Sequence, residues 1–287
     1  MVRGVVSRQP AKTGRHEGTR NQPRTAQNRG TSRQSKSSRP VLPGTPSNGR
    51  PQKSASAAKA TRYNPVAPQR IQEILARLNQ RYPEVTCALT HKSAWELLVA
   101  TILSAQSTDV RVNMVTPDLF RKYPRLQDFA ALKPGQLEPD IRSTGFFRNK
   151  SKSVVGAAKK IVSDFGGEVP DDMDKLLTLP GVARKTANVV LGTWFRQAVG
   201  VVVDTHVTRL SRRLELTRNT DASKIEQDLM RVIPKEKWIL FSHQLIWHGR
   251  KICIARRPKC VDCPLENVCH AADKTWSTVE IHKNALP

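Results

Sequence analysis

Apolar residues spaced by three and four positions mark a succession of helices from about residue 68 onward. Residues 68–82 carry Ile71, Ile74, Leu75 and Leu78 at that spacing, and Pro83 ends the run. Ser93 followed by Glu96 reads as a capping box. It opens a helix so apolar (Trp95, Leu97, Leu98, Val99, Ile102, Leu103) that most of its sides must be buried. Residues 109–123, 126–131 and 134–141 read as short helices and residues 143–150 as a loop. A helix over 151–165 is stopped by Gly166 and Gly167. Residues 173–177 read as the end of one helix and residues 183–195 as the next, with apolar positions at 187, 190, 191, 194 and 195. The β-branched run at 199–203 reads as extended, turning into a helix over 206–216. Two long helices follow, over 225–233 and 237–250.

The junction of the helices at 173–177 and 183–195 carries the first candidate chemistry. Pro180 stops one helix and Gly181 permits a tight reversal, so the next helix starts with free backbone N–H groups. Such a start, at the positive end of the helix dipole, is an anion site, and a phosphate suits it. Lys185 lies in the first turn. The same positive end disfavours an ammonium, which favours the neutral, nucleophilic amine. An ordinary helix connection with a solvated lysine is the plain alternative.

Charge narrows the partner. Net charge is +24, with a pI of about 10.5, which points to a polyanion. Residues 1–62 hold 14 Lys or Arg against one acid, Glu17, and have no aromatic residue. Such a segment cannot bury enough apolar area to order itself, so a disordered basic tail is expected over residues 1–66. Three roles fit it: a sequence-blind DNA-binding arm, an organelle transit peptide, or a solubilising tail. No run of 18 apolar residues is present, so no membrane span is expected, and the N-terminus lacks an apolar block of signal-peptide length.

Four of the five cysteines crowd into one stretch: Cys253, Cys260, Cys263 and Cys269. This is not the layout of a secreted disulfide framework; it points to a metal or cluster site in a reducing compartment. Four-cysteine zinc sites usually pair two Cys-x-x-Cys units, and here there is one. A compact quartet suits a 4Fe-4S cluster, one thiolate per iron, with zinc as the rival. Arg256, Arg257 and Lys259 lie between the first two cysteines, where a rigid loop would aim them at phosphates. Cys87 stands alone and reads as a small buried hydrophobe.

The polar run Ser104-Ala105-Gln106-Ser107-Thr108-Asp109 follows the apolar helix and exposes its side chains. On its own it also reads as a helix end followed by an N-cap at Thr108 or Asp109. The loop at 143–150 joins two aromatics, Phe146 and Phe147, to two cations, Arg148 and Lys150, a composition suited to wedging between bases while holding phosphates. One of the two, Phe147, is expected in the core. Asp204 stands where an N-cap belongs, and His206 can touch DNA or simply pack.

Taken in order, these motifs resemble the endonuclease III family of helix-hairpin-helix DNA glycosylases over roughly residues 68–272. The departure is Ala183, where the family usually has a second glycine. The resemblance implies an all-α fold in two lobes, a six-helix barrel containing the helix-hairpin-helix and an iron–sulfur cluster lobe. The expected boundaries are 67–90 for the first helix of the cluster lobe, 91–202 for the barrel, 203–275 for the rest of the cluster lobe, and 276–287 for a C-terminal tail. It implies Lys185 as nucleophile and Asp204 as the second catalytic residue. It implies DNA contacts from Gln106, Phe146, Gly181, Ala183, Arg184 and His206, besides Arg256, Arg257 and Lys259. It implies a 4Fe-4S cluster on the four cysteines. The expected substrate is double-stranded DNA with an oxidised pyrimidine or an abasic site, met by a monomer in a bacterial-type cytoplasm. A monofunctional adenine glycosylase and a non-catalytic DNA-binding module are the alternatives.

Overall fold

The computed structural model describes residues 63–275, so the expectations for residues 1–62 and 276–287 lie outside the described residues. Residues 63–66, counted above with the tail, are held in place instead. Tyr63 donates to Glu215 Oε2 at 2.5 Å and its ring stands edge-on to His270, while Arg70 Nη1 donates to the Pro65 carbonyl.

Eleven α-helices and no strand occur among the described residues. They are α1 (Pro68–Arg81), α2 (Ala94–Leu103), α3 (Asp109–Lys122), α4 (Leu126–Ala131), α5 (Pro134–Ile141), α6 (Phe147–Asp164), α7 (Met173–Leu177), α8 (Arg184–Thr193), α9 (Thr205–Arg213), α10 (Ala222–Val232) and α11 (Trp238–Lys251). Side chains start most of the helices that matter for the site. Ser93, Thr108, Asp172, Asp204 and Asp221 each accept a backbone N–H three residues on. The Ser93 box is offset by one residue: Glu96 Oε2 accepts from Lys92 N–H rather than from the cap.

Two hydrophobic cores result. The first is built on α2, whose Leu97, Leu98, Val99 and Leu103 are all fully buried, and it draws on every helix from α2 to α8. Within it α7 is a short helix of five residues just before the reversal. The second core joins Ile71, Ile74 and Leu78 of α1 to Val207, Ile225, Phe241 and Leu245 of α9–α11. Val201 and Val203 already belong to it. The run 199–203, expected to be extended, forms no strand: residues 199–200 make a bend, residues 201–203 carry no regular secondary structure, and Val202 N–H donates to Ser242 Oγ.

Residues 143–150 do not form the open loop expected from their charges. Residues 142–144 make a 3₁₀ turn, Gly145 and Phe146 take left-handed φ of 72° and 49°, and α6 has begun by Phe147. Lys150, 4% exposed, donates to the Thr144 carbonyl at 2.7 Å, and burial lowers its pKa. It therefore holds the loop from inside and reaches no phosphate. Phe147 packs on the first core, with Arg142 and Arg148 over its ring.

One buried carboxylate ties the start of α8 to the second core. Glu226 of α10, 4% exposed, accepts from Arg184 Nε (2.7 Å), Arg184 Nη2 (3.1 Å) and Asn188 Nδ2 (2.9 Å). Arg184→Ala is expected to leave that carboxylate with Asn188 alone and to cost about 1–3 kcal/mol of stability, read as a lower urea midpoint. Arg184→Lys, which loses the two-pronged contact but keeps the charge, should fall between the two.

Candidate active site

The hairpin is a turn in which Val182 N–H donates to the Leu179 carbonyl. Gly181 has φ of 78°, and a Cβ there would lie 2.5 Å from Ser153 Cβ on α6. Both the backbone angle and the close approach require glycine. Ala183 is different. Its φ of −93° and ψ of 169° are ordinary extended backbone, so alanine fits there without strain. It is the unassisted N-cap of α8, and no side chain covers the first N–H groups of that helix.

Lys185 is exposed, where the sequence had allowed for burial, and lies one residue into α8. It lines a cavity of about 80 Å³ together with Asp204. Asp204 arrives from the second core, at the start of α9, with Oδ1 held by Val207 N–H at 2.8 Å. The cap holds the carboxylate in one orientation. The cavity thus sets an amine from one core beside a carboxylate from the other. Its wall also includes Ser104, Asp109, Val202, His243, Trp247 and Arg250.

Several residues of this wall carry chemistry, and two of them, His243 and Arg250, have no motif in the sequence. Asp109, at the start of α3, accepts from Arg250 Nη2 of α11 at 2.6 Å, so an ion pair spans the two cores at the cavity. His243 lies on α11, facing Arg196 and Arg250, and shares the cavity with Asp109, Lys185 and Asp204. Burial, then the two guanidinium groups, bring its pKa down to about 4. Cys87 also lines the cavity; it packs against the first core, half-buried, and burial raises its thiol pKa. No local pattern marks His243 or Arg250, since each is one of several polar residues on α11.

The residues expected at DNA are placed unevenly. Gln106 and Phe146 are both exposed, Phe146 at 61%, and both have left-handed backbones. Among the described residues five non-glycine residues have positive φ, and Gln106, Phe146 and Arg257 are three of them. Such conformations persist where surrounding structure enforces them, often at binding sites. Arg256, Arg257 and Lys259 are exposed. His206 is half-buried, with Nδ1 beside Arg209 Nη2, and burial lowers its pKa. The Arg184 guanidinium is engaged by Glu226, and its backbone lies at the start of α8.

Cys253, Cys260, Cys263 and Cys269 line one small cavity of about 30 Å³, beside Arg213, Pro258 and Lys274. Arg213 Nη1 donates to Cys253 Sγ at 3.2 Å. Burial pushes the Cys263 thiol up to about 12 and raises those of Cys253 and Cys269. Among the described residues no three His, Cys, Asp or Glu side chains stand close enough around one point to hold a single ion. A cluster with one iron per thiolate needs a wider spacing, and the all-sulfur donor set fits it.

The pKa of His243 gives a stability prediction. Its folded pKa is depressed from 6.5 to about 4, so below pH 6.5 the unfolded chain binds a proton that the folded chain does not. The stability from this group is complete above about pH 6.5 and is lost as pH falls toward 4, at up to about 1.4 kcal/mol per pH unit. In urea unfolding across that window, His243→Gln should be less steeply destabilised by acid than the unaltered protein.

Residues 99–235 match the family described as HhH-GPD superfamily base excision DNA repair protein. The chain is 55% identical over 204 residues to endonuclease III of Synechocystis sp. (strain ATCC 27184 / PCC 6803 / Kazusa), covering 71% of this chain and 93% of that protein. It is 44% identical over 207 residues to endonuclease III of Bacillus subtilis (strain 168), covering 72% and 94%. A solved structure of a trapped endonuclease III–DNA covalent intermediate, the estranged-adenine complex, is similar with a TM-score of 0.68 and 42% identity, covering 71% of this chain and 96% of that one. The chain belongs to the endonuclease III family of helix-hairpin-helix DNA repair proteins.

Proposed function

We propose that this protein is a bifunctional DNA N-glycosylase and AP lyase that removes oxidised pyrimidines from duplex DNA and cuts 3′ to the abasic site. The observation that carries the reading is the single cavity in which Lys185 and Asp204 meet from two different helix starts. The damaged nucleotide turns out of the stack, a step less costly for a damaged base. Gln106 and Phe146, exposed on tight turns, fill or brace the gap. The free N–H groups at the start of α8, with Gly181 and Ala183, receive a backbone phosphate. Arg256, Arg257, Lys259 and His206 add contacts to the backbone.

Lys185 Nζ, as a neutral amine, bonds to the sugar C1′ while the C1′–base bond breaks and the base leaves with that electron pair and a proton. Asp204 stabilises the cationic sugar, and as the C1′–O4′ bond breaks it takes a proton from the lysine nitrogen and passes it to the departing O4′, leaving an open-chain Schiff base. Loss of the C2′ proton then expels the 3′ phosphate by β-elimination. The four cysteines would hold a 4Fe-4S cluster, whose contribution is to keep the basic loop rigid against DNA. We place the enzyme with its DNA in a bacterial-type cytoplasm; no helix among the described residues is long and apolar enough to cross a membrane. The two cores support a reading in two lobes, and residues attached to both line the cavity.

Borohydride trapping on duplexes carrying thymine glycol or an abasic site tests this. The unaltered protein should give a covalent adduct, and Lys185→Gln none, with strand cleavage down on the order of 10³-fold or more. Asp204→Asn should keep the fold, because asparagine caps a helix as well, yet slow the reaction by roughly 10²–10⁴-fold. Tight binding without an adduct from the unaltered protein would favour the binding-module alternative.

A further inference from the structure

Behind the cysteine cavity lies a buried polar chain that the reaction does not use. Tyr82 follows α1 and is 6% exposed; His248 of α11 is 1% exposed. Tyr82 Oη stands 3.2 Å from His248 Nδ1, and His248 Nε2 stands 3.4 Å from Cys263 Sγ. The rings meet edge-on, with centroids 5.8 Å apart. One helical turn earlier, the buried Gln244 donates to the Tyr82 carbonyl at 3.1 Å. α11 therefore grips Tyr82 at its backbone and at its hydroxyl.

The protons on this chain have two self-consistent arrangements. In one, a Cys263 S–H donates to Nε2, and Nδ1–H donates to Tyr82 Oη. In the other, Tyr82 O–H donates to Nδ1, and Nε2–H donates to sulfur. A cysteine that ligates iron has lost its proton and only accepts. Ligation thus selects the second arrangement, in which Tyr82 fixes the imidazole tautomer that aims an N–H at the ligand sulfur.

We propose that Tyr82 and His248 form an outer-shell relay on Cys263 that sets the reduction potential of the cluster and slows its loss. The inference rests on the reading that the four cysteines hold a 4Fe-4S cluster. A hydrogen bond to a ligand sulfur stabilises the more negative, reduced cluster and so raises the potential. Tyr82→Phe removes one oxygen and keeps the ring packing, so it probes the hydrogen bond without opening a cavity. His248→Leu removes the donor itself.

The test is voltammetry of the full-length purified protein without DNA, with iron and sulfide content and the rate of visible bleaching under an iron chelator measured alongside. The midpoint potential should fall from the unaltered protein to Tyr82→Phe and further to His248→Leu. Bleaching should quicken about tenfold or more on loss of the donor. Tyr82→Phe and His248→Leu matching the unaltered protein in both potential and bleaching would overturn the relay while leaving the cluster standing. Unaltered protein that purifies without iron and sulfide would overturn the cluster, and the relay with it. Lower thermal stability with unchanged potential would show the chain to be packing alone, which also overturns the proposal.

Discussion

The Glu226 carboxylate is the hinge on which this architecture depends. It sits in the second core yet binds Arg184 and Asn188, which flank Lys185 by one residue on one side and three on the other. A buried carboxylate is costly unless its partners are present, so the first turn of α8 is held against α10. Lys185 itself gains no ion pair from this. It is exposed on a helix start whose position is fixed by its neighbours. The Asp109–Arg250 pair does the same work on the other wall of the cavity, joining the start of α3 to the end of α11.

With those ties made, the two helix starts carry complementary chemistry. α8 begins with uncovered N–H groups, which suits an anion and disfavours a second positive charge. α9 begins with its Val207 N–H engaged by Asp204, which fixes a carboxylate lining the amine's cavity. Neither helix start makes an active site alone. Their convergence follows from burying α1 and α9–α11 as a second core against which α8 is tied.

Much of this was legible in the chain because it is local. The caps at Ser93, Thr108 and Asp204 are short-range patterns, as is the Pro180-Gly181 reversal, and the structure has each where its sequence signal stands. The segment 143–150 was not legible. A left-handed backbone at Phe146 and the burial of Lys150 both depend on packing against distant residues, and the charge pattern there looks like a solvated loop. The Arg184–Glu226 pair was not legible either, because its two partners lie 42 residues apart in sequence. His243 and Arg250 were missed for the same reason: what places them at the cavity is the meeting of the two cores, not their neighbours in the chain.

The most direct measurement is peptide mapping by mass spectrometry of the borohydride-reduced protein–DNA adduct, after digestion of both partners. The reduced sugar should be found on the peptide containing Lys185 and on no other. A sugar carried by Lys150, by a lysine of residues 1–62 or by the N-terminal amine would contradict the assignment of the cavity as the active site.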